Sequence, residues 1–145
     1  MAFDIVGDYL DDARTLLQDQ VVPYRYSTSD LINALNLTMM DVRRLRPDLL
    51  IDYLDNIPQY EWNDAASTLV PGVDANFDDD DNPTWTTWVP IEQPFRRALV
   101  FGIVGHAMQR DQEDIEDERA LARLMTFENI LLATKSTAGM APPKG

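Results

Sequence analysis

Between Pro94 and Arg110 the chain reads PFRRALVFGIVGHAMQR, and no other run restricts the fold so severely. Pro94 stands where a helix tolerates proline, in the first turn, because its missing N–H is one of the donors that a helix start leaves unpaired anyway. Phe95, Ala98, Leu99, Gly102, Ile103 and His106 then recur at helical spacing, and Val100, Phe101, Val104 and Met108 make most other faces apolar as well. A helix of that kind has to be enclosed. Its apolar part, ALVFGIVGHAM, is about half the length needed to cross a bilayer, so no membrane is implied and protein must do the enclosing. This is predicted as the central helix, with Gly102 and Gly105 as the places where a neighbouring backbone comes close.

Three further amphipathic segments are available to surround it. Ile5, Tyr9, Ala13, Leu16 and Leu17 recur every three or four positions, with Asp8, Asp11, Asp12 and Arg14 between them, and Pro23 marks the end of that helix. Tyr24, Arg25 and Tyr26 form a connector able to lay aromatic rings over the core. Ser27 opens a second helix: its hydroxyl is placed to accept the N–H of Asp30, and Asp30 sets negative charge at the positive end of the dipole. Leu31, Leu35, Met39, Val42 and Leu45 give that helix its buried stripe, and Pro47 stops it. After Arg110 an acidic block opens a fourth helix, in which Ala120, Leu124, Phe127 and Leu131 form one seam flanked by Leu121, Met125 and Leu132. Beyond Thr134 the tail KSTAGMAPPKG has no periodicity and is expected to be mobile until a partner orders it.

The stretch from Asp48 to Pro90 is of another character. Pro58, Pro71, Pro83 and Pro90 exclude long helices there, and Ser67, Thr68, Gly72 and Asn76 indicate turns between brief apolar runs. Two to four short strands are expected. The fold class is therefore mainly α: one four-helix bundle-like domain over residues 1–134, a long irregular or short β-hairpin insertion at 48–90 between the second and third helices, and a flexible C-terminal tail at 135–145.

Twenty-five acids stand against 12 bases, a formal charge of −13, which excludes a conventional duplex binder because such proteins need basic stripes to displace counterions from phosphates. Ten of the 12 bases are Arg, with clusters at Arg43, Arg44 and Arg46 and at Arg96 and Arg97. Arg forks pair with carboxylates, so these five are candidates for contacts between copies of the chain. Cysteine is absent, which removes disulfides, thiolate zinc sites and thiol nucleophiles together. The opening MAFDIVGDYL lacks the basic start and apolar run of a signal peptide.

Asp111, Glu113, Asp114, Glu116, Asp117 and Glu118 place six carboxylates in eight positions. Asp111 is suited to cap the fourth helix, with Glu113 and Asp114 near its positive end, and Glu116 can pair with Arg119 one turn on. A solvated or pore-facing surface is favoured over a metal or catalytic site, because buried carboxylates would need a matching cationic set. Asp74, Asn76 and Asp78 alternate as in a calcium loop, but Asp79 stands where such a loop needs Gly and Trp85 where it needs Glu. His106, the single histidine, has no Ser or Cys at nucleophile spacing and is read as a satisfied core or interface residue. Trp62, Trp85 and Trp88 are read as pins between the insertion and the body. With no phosphate-binding glycine loop and no HExxH pair, neither cofactor, metal nor enzymatic activity is expected.

YLDDARTLLQD followed by YRYSTSDLINALNLTMMDVRRLRPD gives a helix ending in Leu-x-Asp, an Arg-aromatic-Ser turn and a second helix closing at Arg-Pro. EQPFRRALVFGIVGHAMQRDQEDIEDERALARLMTFENILLA gives an apolar helix that ends in an acidic turn and a last helix with spaced Ala, Leu and Phe. This order of segments resembles the head-to-tail adaptor, or connector, proteins of tailed bacteriophages, over about two thirds of the chain. The insertion at 48–90 has no counterpart in that pattern.

The resemblance implies a non-enzymatic virion protein of the neck, assembled in the host cytoplasm. It would form a homo-oligomeric ring of about twelve copies below the portal protein, joined on the other side to a tail or stopper protein. At −13 per chain such a ring carries about −150, which keeps duplex DNA sliding past the wall rather than held by it. The six acids from Asp111 to Glu118, or the acidic loop, are then candidates to line the lumen. Lys135, Met140, Pro142, Pro143 and Lys144 make the tail slightly basic and apolar enough to be buried on docking to the portal. Two rivals stand beside this reading: an acidic inhibitor or DNA mimic acting on a nucleic-acid enzyme, and a cation-dependent hydrolase built on the Asp clusters.

Overall fold

The computed structural model describes residues 3–18, 26–54, 59–63, 68–71, 88–110 and 114–134. A short strand β1 (Phe3–Ile5) runs directly into helix α1 (Val6–Leu17), and Ile5, extended at φ −84° and ψ 159°, provides no capping side chain. The first helix thus begins one residue later than its apolar spacing suggests, because Ile5 belongs to a strand. Helix α2 (Thr28–Leu45) opens as expected, with the Asp30 N–H donating to Ser27 Oγ at 3.0 Å. It stops before Pro47, where a 3₁₀ stretch, Pro47–Tyr53, takes over. Strands β2 (Tyr60–Asn63) and β3 (Thr68–Pro71) pair antiparallel in register from Tyr60↔Pro71 to Asn63↔Thr68. Strand β4 (Trp88–Glu92) returns to pair with β1, a pairing that the sequence pattern did not reveal. A 3₁₀ turn, Gln93–Phe95, carries Pro94 into α3 (Arg96–Arg110), and α4 (Asp114–Ala133) completes the domain.

Helix α3 packs against each of the other three helices, most extensively α4. Ala98, Leu99, Ile103 and Val104 are fully buried, as are Tyr9 and Ala13 of α1, Leu31, Leu35, Met39 and Val42 of α2, and Ala120 and Leu131 of α4. The two glycines sit where neighbours press closest. A Cβ at Gly102 would lie 2.7 Å from Thr38 Cγ2 and 3.2 Å from Phe127 Cδ1. One at Gly105 would lie 2.7 Å from Leu124 Cγ and 3.1 Å from the Leu124 backbone nitrogen. Polar groups tie the elements together at the edges: buried Arg14 donates to Tyr26 O at 2.9 Å and Thr28 Oγ1 at 3.3 Å, joining the end of α1 to the start of α2. Asn36 of α2 donates to Tyr60 O at 2.7 Å and accepts from Tyr60 N at 2.8 Å, so one carboxamide takes the place of a strand beside β2.

Alanine at Gly105 gains about 1 kcal/mol of helix propensity but is overpacked against a helix backbone, a cost of roughly 1–3 kcal/mol. Gly105→Ala is therefore expected to lower the urea midpoint, and Gly105→Val to lower it further. An unchanged midpoint in both would show that α4 can step back from α3.

Candidate functional site

Five arginines stood out in the sequence, and the fold gives them different surroundings. Arg46, at the Arg-Pro close of α2, points its guanidinium across the domain to the last turn of α4. Its Nη1 donates to Leu131 O at 2.8 Å and Thr134 O at 2.9 Å, while Nε and Nη2 make a fork on Asp48 at 3.0 and 2.9 Å. The same group stacks over the Phe95 ring at 5.4 Å. A cation on helix-terminal carbonyls satisfies acceptors that have no partner within the helix and opposes the negative end of the dipole. The fork in turn holds the Asp48 carboxyl below the usual range.

Arg96 is also engaged inside the chain. It reaches Asp12 Oδ2 at 2.7 Å and Asp4 at 3.2 Å and stacks over Tyr9 at 5.9 Å, binding α3 to β1 and α1. Burial, with Asp4 close by, pushes the Tyr9 hydroxyl above its ordinary range. Within the chain, the charge-assisted bonds of Arg46 and Arg96 join carbonyls and carboxylates of other elements and so help to close the fold. Arg97 stacks over Phe101 at 5.9 Å. Arg43 is exposed, and Arg44, 62% exposed, lies at 3.6 Å from Asp41 and 3.9 Å from Glu128 of α4.

His106 fulfils the reading of a satisfied histidine. Its Nε2 lies 2.7 Å from Asp41 Oδ2, with the two side chains 14% and 26% exposed, and so links α3 to α2. Burial pushes the Asp41 carboxyl up. The hydrogen bond and charge of His106, with the charge of Arg44, outweigh it and hold the group below its ordinary value of 3.8.

Of the acidic block, Asp114, Glu116 and Asp117 fall on the first two turns of α4 and Glu118 is exposed, whereas Asp111 and Glu113 lie outside the described residues. So do the acidic run 74–82 and the tail residues Lys135, Met140, Pro142, Pro143 and Lys144. Among the described residues no group of three or more His, Asp or Glu is arranged to hold a metal ion. No described helix is long and apolar enough to cross a membrane.

What the domain does present is an apolar row. Leu121, Met125 and Leu132 of α4 are 58%, 55% and 55% exposed, and Met40 and Leu37 of α2 are exposed too. The expected seam of α4 is buried at Ala120, Phe127 and Leu131, but its flanking residues turn outward. No family model, curated protein or solved structure matches the chain. The reading of this surface therefore rests on its own chemistry. Sequence reasoning missed the Arg46 clamp, since an Arg before Pro signals a helix end and carries no trace of acceptors 85 and 88 residues away.

Two outcomes follow. Arg46→Ala leaves the α4 carbonyls without their donor, a loss of about 1.5–3 kcal/mol; faster amide exchange in the last turn of α4 is the local readout, and unchanged exchange there would dismiss the clamp. Asp41, whose folded-state carboxyl titrates below its unfolded value, contributes stability that is present above about pH 4 and lost as pH falls through the lower folded value. Asp41→Asn should flatten that part of the acid limb in unfolding titrations from pH 6 to pH 2.

Proposed function

We propose that the chain is a head-to-tail adaptor of a tailed bacteriophage, a structural protein of the virion neck. Copies form a ring below the portal, continue the DNA channel and bind a tail or stopper protein on the other side. The observation that carries this is the Arg46 clamp. Arg46 belongs to the Arg-Pro close of α2 and holds the end of α4, so the two segments that resemble the adaptor family form one mechanical unit. That unit holds the end of α4, after which residues 135–145 follow in the sequence.

A tail with Lys135 and Lys144 and no acid after Glu128, leaving a chain of charge −13, is suited to reach an acidic or apolar groove on a partner ring. Ordering it costs conformational entropy, which many simultaneous attachments around a ring offset better than one. The surplus carboxylates act at a distance. They keep phosphates from settling on the channel wall, so that DNA passes without specific binding.

The test is co-purification with the portal protein of the same virus, comparing the full chain with one ending at Thr134. Strong retention of the full chain and loss of retention on truncation are expected. No retention of either would refute the adaptor reading, and equal retention would remove the tail from docking. In a parallel filter-binding assay at physiological salt the chain should retain no duplex DNA; micromolar duplex affinity would contradict a repelling wall.

A further inference from the structure

Helix α4 has two unlike flanks on either side of its buried seam. At about 100° per residue, Leu121, Met125 and Leu132 fall almost on one line. Exposed Glu118 and half-exposed Glu128 frame that row with carboxylates. Because Arg44 of α2 reaches Glu128 at 3.9 Å, the row continues past the ion pair towards Met40 on α2. The other flank is of opposite character. Arg119, Ala122 and Arg123 face Leu16 and Leu17 at the end of α1 and Met108 of α3, around a cleft of about 330 Å³. Its floor is aliphatic and its rim is cationic, and none of the described residues lining it is acidic. Arg123 also lies over the Phe101 ring at 5.7 Å, which holds its guanidinium beside the cleft.

We infer that the carboxylate-framed apolar flank of α4 docks into the arginine-rimmed cleft of a second copy of the chain, head to tail. Leu121 and Met125 enter the aliphatic cleft, and Glu118 and Glu128 meet Arg119 and Arg123. The occupant follows from complementarity: one surface supplies apolar side chains bordered by acids, the other an apolar floor bordered by bases, on a protein that is otherwise acidic. Lying on opposite sides of one helix, the two surfaces cannot meet within a chain. A patch and its complement on different faces of one molecule make a heterologous contact, and such contacts close into a ring when the rotation between copies permits. The inference deepens the ring reading and rests on it for its biological role, but it is tested without a portal.

Three full-length proteins suffice: the natural chain, a flank variant Leu121→Asp/Met125→Asp, and a cleft variant Arg119→Glu/Arg123→Glu. Sedimentation equilibrium over a rising concentration series should give the natural chain a mass that climbs above 16.5 kDa, with each variant alone staying at that value. An equimolar mixture of the variants should stop at the dimer, since the intact flank of one fits the intact cleft of the other and nothing can extend the pair. A monomeric natural chain throughout, a variant that associates like the natural chain, or a monomeric mixture each overturns the inference. Should charge reversal unfold the chain, Arg119→Gln/Arg123→Gln keeps the aliphatic stems and is expected to weaken association at least tenfold; unaltered association would again overturn it. Head-to-tail dimers together with no portal retention keep the interface and remove the adaptor reading. Portal retention with monomers in every mixture does the reverse.

Discussion

Two hydrogen atoms, at the α-carbons of Gly102 and Gly105, occupy places where a methyl group would collide with Thr38, Phe127 and Leu124. Because they do not obstruct, α2 and α4 can close on α3, and an otherwise apolar helix is removed from water along most of its length. The remaining arrangement follows from that closeness. Phe127 and Leu131 turn inward, Leu121, Met125 and Leu132 are left on the outside, and the end of α4 comes within reach of Arg46.

Much of this was legible beforehand. The Ser27 cap, the stop of α2 before Pro47, the enclosed third helix and its two close approaches are properties of short windows, and windows of that length carry helical periodicity and capping chemistry. His106 was legible by elimination, as a lone histidine on an apolar helix with no catalytic company. What could not be read were pairings between distant segments: β1 with β4, Asn36 with Tyr60, Arg46 with the carbonyls of α4. Each depends on which strand or helix end happens to lie alongside, and no local pattern encodes it. The outward turn of Leu121 and Met125 was hidden for a related reason, since a helix with apolar residues around much of its girth does not declare which of them meet solvent.

The distribution of charge has a physical logic of its own. Arg46 and Arg96 bind carbonyl and carboxylate oxygens within the domain through charge-assisted bonds, which are stronger than neutral ones. Their use there leaves the acids outside them less compensated at longer range. The basic groups that line the cleft beside α1 are thus local exceptions on a molecule whose summed field is negative. Strong short-range pairing and long-range repulsion coexist because they act over different distances, the second fading within about 10 Å at moderate salt.

The hairpin of β2 and β3 forms a sheet of its own, separate from the pairing of β1 with β4, and the amide of Asn36 meets its edge. Its attachment runs through Asn36, the buried ring of Tyr60 and the partly buried Trp62, all at β2, and asks little of the residues farther along the loop. Lineages carrying this scaffold would be free to exchange that peripheral module, altering its length and texture to suit whatever it touches, while the helices beneath keep their arrangement.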